Sequence, residues 1–407
     1  MTRSVYVQRS IPRVLAVRAA RRVWPGAAYS RLGPVHDRTV DEVPLPGSGW
    51  VRIRNLQCGI CATDVAFLHA EIDPRITLVA LPGRDRVYLG HELLGEVVQT
   101  GPGVDRVAVG DRVILDTRFQ GPTCRSQDLT PLCRHCAAGN YMLCTNPKRF
   151  PANPGTGGGW SEHLVCHSTE IYKVPARLSD DQAMLVEPFS LGIRAALKRL
   201  PKPDEQCLII GAGMAGLTIT QSVRLLSPDS HITVLARYRH QAEMAERLGA
   251  NRVLRDDSPI RLAGAAGAPL FRGPLGSYFV MGGFDVVYDC VGSADTVNTS
   301  LRLATAGGSV VLVGISLRGA RIDLSPVWHQ EVQLIGVLAH GMESWESNRI
   351  PTYELVCREI GAGNLSTDGF ITDRYPLAEW KAAVRRSQQR AGGVVRVVLD
   401  ITPSNRR

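Results

Sequence analysis

Two groups of side chains in this sequence have the composition of metal sites. The first is Cys58-Gly59-Ile60-Cys61-Ala62-Thr63-Asp64, followed about thirty residues later by Gly90-His91-Glu92. Zinc takes thiolate, imidazole and carboxylate ligands, and a catalytic zinc keeps one position open for water or substrate. A cysteine and a histidine brought from separate loops, with carboxylates nearby, would suit that chemistry; a buried thiol and a core histidine are the plainer alternative. The second group is Cys133, Cys136 and Cys144, with Cys124 nine positions upstream of Cys133. Four thiolates close a tetrahedral shell and leave nothing for chemistry, so this group predicts a structural zinc that pins a loose lobe, with His135 able to replace a thiolate.

A third signal is for a nucleotide. Leu208-Ile209-Ile210 runs into Gly211-Ala212-Gly213-Met214-Ala215-Gly216 and then into an amphipathic stretch. Between a strand and a helix such glycines permit a tight turn and a close backbone approach to a pyrophosphate, which the helix N-terminus then binds. About 20 residues on, an acid would bind the ribose 2′-hydroxyl of NAD. Here the strand ends in Ala236-Arg237-Tyr238-Arg239. Arg237 and Arg239 could pair with a 2′-phosphate, which favours NADP(H) over NAD(H); the alternative leaves both arginines solvated.

The elements that must position these residues fall into two kinds. Up to about residue 178, short apolar stretches at 14–17, 49–53, 95–98, 112–115 and 161–165 are separated by Gly/Pro turns, which predicts strands of a barrel-like β domain. From 180 a helix interrupted at Pro188 leads into alternating strands (207–210, 232–235, 285–289, 309–313, 333–336) and helices (216–226, 241–248), the pattern of a doubly wound parallel sheet. Residues 257–283, rich in Gly, Ala and Pro, break that rhythm as an insertion. Helices near 352–360 and 377–387 and a last strand at 394–399 predict a return to the first domain.

Composition limits the rest. The chain has 407 residues, long enough for two or three domains, and its ten cysteines are clustered rather than spread as in a small secreted disulfide scaffold. Of 47 basic residues only Lys148, Lys173, Lys198, Lys202 and Lys381 are lysines, and the arginines are dispersed, which argues against a nucleic-acid-binding arm. No apolar run reaches the ~18 residues of a membrane span, and no secretory leader is evident, so a cytoplasmic protein is expected.

Taken in order, CGICATD, GHE, the four-cysteine lobe, VEPFSLGIRAA, GAGMAG and Asp289-Cys290-Val291-Gly292 resemble the zinc-dependent medium-chain alcohol and polyol dehydrogenases, nearest the sorbitol, threonine and glucose dehydrogenase branch. The resemblance implies an α/β protein with a GroES-like β-barrel catalytic domain (1–188), a Rossmann cofactor domain (189–340) and a C-terminal return (341–407). It also implies hydride transfer between NAD(P) and a secondary alcohol, polyol or amino alcohol, or the reverse reduction of a ketone, in a homodimer or homotetramer.

By the same resemblance Cys61 and His91 are zinc ligands, Glu92 and Glu187 the candidate carboxylates, and Cys58 a buried thiol. Thr63 would bond the substrate oxygen and relay its proton, and Asp64 would orient His91. Gly211, Gly213, Met214, Ala215, Gly216, Ala236, Arg237 and Arg239 would bind the cofactor, and Cys124, Cys133, Cys136 and Cys144 the structural zinc. Phe67, Trp160 and the loop after Gly336 are expected at the substrate pocket, with ordinary core the equal alternative for Trp160. Three departures stand out: Ala66 where a relay histidine would lie, with His69 three residues beyond; the distant Cys124; and the 257–283 insertion. A zinc-free NADPH reductase of activated double bonds and a non-catalytic cofactor-binding member are the rival functions, both opposed by the intact donor set.

Overall fold

The computed structural model describes residues 1–73, 86–116, 123–146 and 157–401. The chain divides into two compact units, one made of Met1–Glu187, Thr367–Gln389 and Arg396–Arg407, the other of Pro188–Ser366 and Arg390–Val395. The return to the first unit therefore begins at Thr367; residues 341–366, expected in it, belong to the second.

The first unit opens with β1 (Thr2–Gln8) and α1 (Ile11–Ala20). The strand expected at 14–17 lies inside α1. Ser10 caps the helix by accepting from the Arg13 amide, and Pro12 occupies the first turn, where its missing N–H costs nothing. Ala16, Ala19 and Ala20 then outweigh the strand preference of Val14 and Val17. There follow β2 (Val35–Val40), β3 (Trp50–Gly59), α2 (Ala62–Leu68), β4 (Arg86–Tyr88), β5 (Leu93–Thr100), β6 (Arg112–Leu115), α3 (Arg134–Ala137), β7 (His163–His167), β8 (Ile171–Lys173) and α4 (Asp180–Met184). Strand β3 buries Val51, Ile53 and Asn55 and leaves Arg52 and Arg54 half exposed, the alternation of a sheet with one covered face.

The anticipated helix at 180–200 continues after a break at Leu185 as α5 (Val186–Lys198), whose first two residues belong to the first unit and the rest to the second, and whose first turn tolerates Pro188. Next come β9 (Gln206–Ile210), α6 (Met214–Leu226), β10 (His231–Leu235), α7 (Arg239–Arg247) and β11 (Arg252–Leu254). The 257–283 insertion is folded: α8 (Pro259–Ala265) packs Leu262 and Ala263 into the core, and β12 (Leu270–Arg272) pairs with β13 (Tyr278–Val280). Then follow β14 (Phe284–Asp289), α9 (Ala294–Leu303), β15 (Ala304–Leu312), α10 (Ser325–His329), β16 (Gln333–Gly336), the hairpin of β17 (Met342–Trp345) and β18 (Asn348–Pro351), and α11 (Thr352–Gly361). The six strands β11-β10-β9-β14-β15-β16 are all parallel. Their order reverses between β9 and β14, the switch point at which such sheets bind dinucleotides.

The chain re-enters the first unit as β19 (Ile371–Pro376), α12 (Trp380–Gln388) and β20 (Arg396–Asp400). This completes a sheet in the order β19-β20-β3-β5-β6-β8, with β7 also on β3. Strand β20 runs antiparallel to the end of β3, placing Val398 opposite Gly59 and so bringing Arg396 beside the Cys58–Cys61 turn. No helix among the described residues is long and apolar enough to cross a membrane.

Candidate active site

Cys61 sits at the N-cap of α2, just past the end of β3, and His91 and Glu92 occupy the turn before β5. One donor atom from each of these three residues lies within 4.8 Å of the others. Asp64 holds the two turns together. Its carboxylate is 1% exposed and accepts from the Cys61 amide at 3.1 Å and from the Gly90 amide at 2.9 Å. The Asp64 Oδ1 atom is also 3.6 Å from His91 Nδ1, as expected of the residue that orients the imidazole. Burial opposes a charge on His91, but Asp64 and Cys61 beside it hold its pKa well above the usual histidine value.

Glu92 is 2% exposed, and its two oxygens are treated differently. Oε1 pairs with Arg396 Nη2 at 3.2 Å, while Oε2 is buried with no hydrogen-bond partner among the described residues. A Cβ on Gly59 would stand 2.3 Å from that oxygen, so only glycine leaves room for it. Arg396 is buried as well; it donates to the Ile60 carbonyl at 2.6 Å, and its charge is reinforced against burial by Glu92, Cys61, Glu187 and Asp64. Four groups able to carry negative charge thus surround one permanent cation. A divalent ion bound by Cys61, His91 and a carboxylate would rebalance them and use the orphaned oxygen, so the donor set fits zinc. Glu187, on the first turn of α5, is close enough to act on Arg396 but lies outside the three-donor group.

Thr63 Oγ1 is 3.6 Å from Cys61 Sγ, so its hydroxyl borders the donor group. His69 does not take the relay place left by Ala66: its Nε2 meets the Tyr29 hydroxyl at 2.5 Å, and burial lowers its pKa. Cys58 is a fully buried thiol whose sulfur packs against Gly90 and Gly159, and burial pushes its pKa well up. Trp160, expected at the substrate pocket, is completely buried and packs on Gly90, so it supports the His91 turn from within the core. Phe67 is likewise buried, at 6% exposure.

The second cysteine group also converges in spite of the long spacing to Cys124. The sulfurs of Cys124, Cys133, Cys136 and Cys144 form one group, with 3.7 Å between Cys124 and Cys144 and 4.0 Å between Cys133 and Cys144. A zinc–sulfur tetrahedron with bonds of ~2.3 Å has edges of ~3.8 Å, so the four thiolates fit a structural ion. Burial opposes ionisation of Cys133, yet the backbone amides of Thr145 and Cys136 bring its thiol down to about 5. His135 lies outside this group.

In the second unit Gly211 adopts φ +94° at the start of the turn between β9 and α6 and donates its amide to the Leu235 carbonyl at the end of the neighbouring strand β10. A Cβ on Gly216 would stand 1.8 Å from the Gly211 carbonyl, whereas one on Gly213 would meet open space. Met214 and Ala215 form the first turn of α6, where backbone amides lack intrahelical partners and the Gly213 N-cap offers no side-chain cap, which fits a pyrophosphate. Asp289 accepts from the amides of Val291 and Gly292, each at 2.9 Å, and so shapes the neighbouring turn at the switch point. At the end of β10, Ala236 is buried and Arg237 is exposed with no carboxylate partner among the described residues, while Arg239 is paired with Glu243 at 2.7 Å.

Arg396 was not anticipated. The only sequence signal is an arginine inside the apolar run Val394-Val395-Arg396-Val397-Val398-Leu399, since a charge on a buried strand must find a partner.

Residues 47–176 match the alcohol dehydrogenase GroES-like domain and residues 215–352 the zinc-binding dehydrogenase domain, together about two thirds of the chain. D-arabinitol dehydrogenase 1 of Uromyces fabae is 27% identical over 86% of this chain and 90% of its own length. Sorbitol dehydrogenase of Arabidopsis thaliana is 26% identical over 83% and 84%. The crystal structure of 2R,3R-butanediol dehydrogenase from Bacillus subtilis shares the fold, with a TM-score of 0.71 over 99% of this chain and 100% of that one at 20% identity. With both domains in family order, the chain belongs to the zinc-dependent medium-chain dehydrogenases, NAD(P)-linked oxidoreductases that act on alcohol groups.

Proposed function

We propose that this enzyme interconverts a secondary alcohol, of a polyol or amino alcohol, and its ketone, with NADP(H) preferred over NAD(H). The observation that carries the reading is the convergence of Cys61, His91 and Glu92, clamped by Asp64, around a buried Glu92 oxygen that has no hydrogen-bond partner among the described residues. The polyol dehydrogenases among the relatives support the substrate class.

Cys61 and His91, with Glu92 or Glu187, would hold the catalytic zinc, and Cys124, Cys133, Cys136 and Cys144 a structural one. When bound, zinc supplies Lewis acidity that eases ionisation of a substrate hydroxyl, and the nicotinamide accepts or donates the hydride. Thr63 bonds the substrate oxygen and takes its proton towards water, since Ala66 provides no relay. Asp64 keeps the His91 ring oriented, and Arg396 pairs with the Glu92 carboxylate and fixes its position. Gly211, Gly213, Met214, Ala215 and Gly216 receive the pyrophosphate. Ala236 leaves room beside the ribose, and the unpaired Arg237 faces a 2′-phosphate, with Arg239 the weaker contributor because Glu243 already occupies it. Exposure of Leu334 on the edge strand β16 and of Trp328 before it supports assembly as a homodimer or homotetramer.

The test is metal content with turnover. Wild-type enzyme should carry up to two zinc ions per chain and oxidise members of a panel of polyols, sugars, amino alcohols and aromatic alcohols. Cys61→Ser and His91→Ala should lose one ion and turnover while still enhancing NADPH fluorescence. Full turnover by protein stripped of zinc would refute the proposal.

A further inference from the structure

The first unit contains a cavity of about 500 Å³, within the range of small-molecule sites. Its lining includes Arg13, Arg31, His36, Arg38 and Lys381, against a single carboxylate, Asp37. That carboxylate is already engaged: Arg3 donates to both of its oxygens at 2.9 Å, and Trp380 Nε1 donates at 3.0 Å. Arg13 bonds the Gly33 carbonyl at 3.2 Å, and among the described residues no carboxylate pairs with Arg13, Arg31 or Arg38. The charge is dense enough that Arg38 and Arg13, adding to the effect of burial, depress the pKa of His36.

The cavity is built rather than incidental. Its arginines come from residues 13–38, ahead of the stretch matched by the GroES-like domain, while Trp380 and Lys381 come from the C-terminal return. Helix α1, which carries Arg13, is fastened by Arg18 to the carbonyl of Ala70 and by Arg21 to the carbonyl of His69, each at 2.8 Å. Tyr29 and Trp380 meet edge to face at 5.8 Å and give the wall an aromatic part.

We propose that this cavity binds a small organic phosphate. A phosphate monoester carries close to two negative charges near pH 7 and three strong acceptor oxygens, which suits several unpaired guanidinium groups better than a monocarboxylate does. The volume exceeds what the phosphate alone needs, leaving space for a compact body against Tyr29 and Trp380.

Isothermal titration of the full chain with glucose 6-phosphate, at constant ionic strength, tests the site. One molecule should bind per chain. The double variant Arg31→Ala/Arg38→Ala changes two exposed side chains and should weaken binding by at least about tenfold. Arg237→Ala, at the dinucleotide site, should leave it unchanged. Absence of binding at millimolar concentration, loss on Arg237→Ala instead of the double variant, or equal binding of malonate would each overturn the assignment.

Discussion

Removing Arg396 should damage this protein more than removing any exposed arginine. Its side chain is 7% exposed and that of Glu92 2%, so Arg396→Met leaves a buried carboxylate beside Cys61 and Asp64 without the guanidinium it pairs with, and takes the donor from the Ile60 carbonyl. Breaking one partner of such a pair costs roughly 3–5 kcal/mol, because the remaining charge keeps its desolvation penalty and loses the attraction that offset it. An exposed pair such as Arg239–Glu243 would cost less than about 1 kcal/mol. With a urea dependence of ~3 kcal/mol per molar, the transition of the first unit should move down by roughly 1–2 M. The measurement is urea unfolding of metal-free protein at pH 8, with the transitions of the two units resolved. Glu92→Gln and the double variant complete a thermodynamic cycle. If the pairing argument holds, the double variant is much less destabilised than the two single costs added together. Additive costs, or a loss below about 1 kcal/mol for Arg396→Met, would refute it.

Two further outcomes follow from the geometry. Gly59→Ala puts a Cβ 2.3 Å from Glu92 Oε2, so the carboxylate must shift; zinc content at the catalytic site and kcat should both fall, while NADPH binding, measured by fluorescence, stays near wild type. Arg237→Glu should raise the Kd for NADPH by roughly tenfold to a hundredfold and leave that for NADH nearly unchanged, through loss of a charge-assisted hydrogen bond of ~1.5–3 kcal/mol. Arg239→Ala should have a smaller effect because that side chain is already paired; the reverse ranking in equilibrium titrations would contradict the cofactor assignment.

The parts of this protein that were legible in the sequence are those set by local rules. The turn at Gly211–Gly216 needs residues without side chains, and a parallel core strand needs continuous apolar residues, so the second unit could be read from periodicity and glycine placement. The cysteines 133, 136 and 144 are close in sequence and could be recognised by spacing. Local rules failed where a helix cap and alanines competed with a short valine-containing run, at α1, and gave no elements for the 257–283 insertion, which holds a helix and a hairpin.

What only the tertiary structure decided is which distant groups share a charge environment. Asp64 joins the Cys61 and Gly90 turns because strands β3 and β5 end side by side, and Arg396 reaches Glu92 because β20 returns antiparallel to β3. The sequence named Glu92 and Glu187 as equal candidates; packing gave Glu92 the buried, half-unpartnered carboxylate within the donor group. The same holds for the basic cavity, since dispersed arginines reveal a shared site only when the fold brings residues 13–38 against Trp380 and Lys381. Residue type and spacing determine which chemistry is available, whereas desolvation and charge pairing depend on neighbours in space, which only the folded chain supplies.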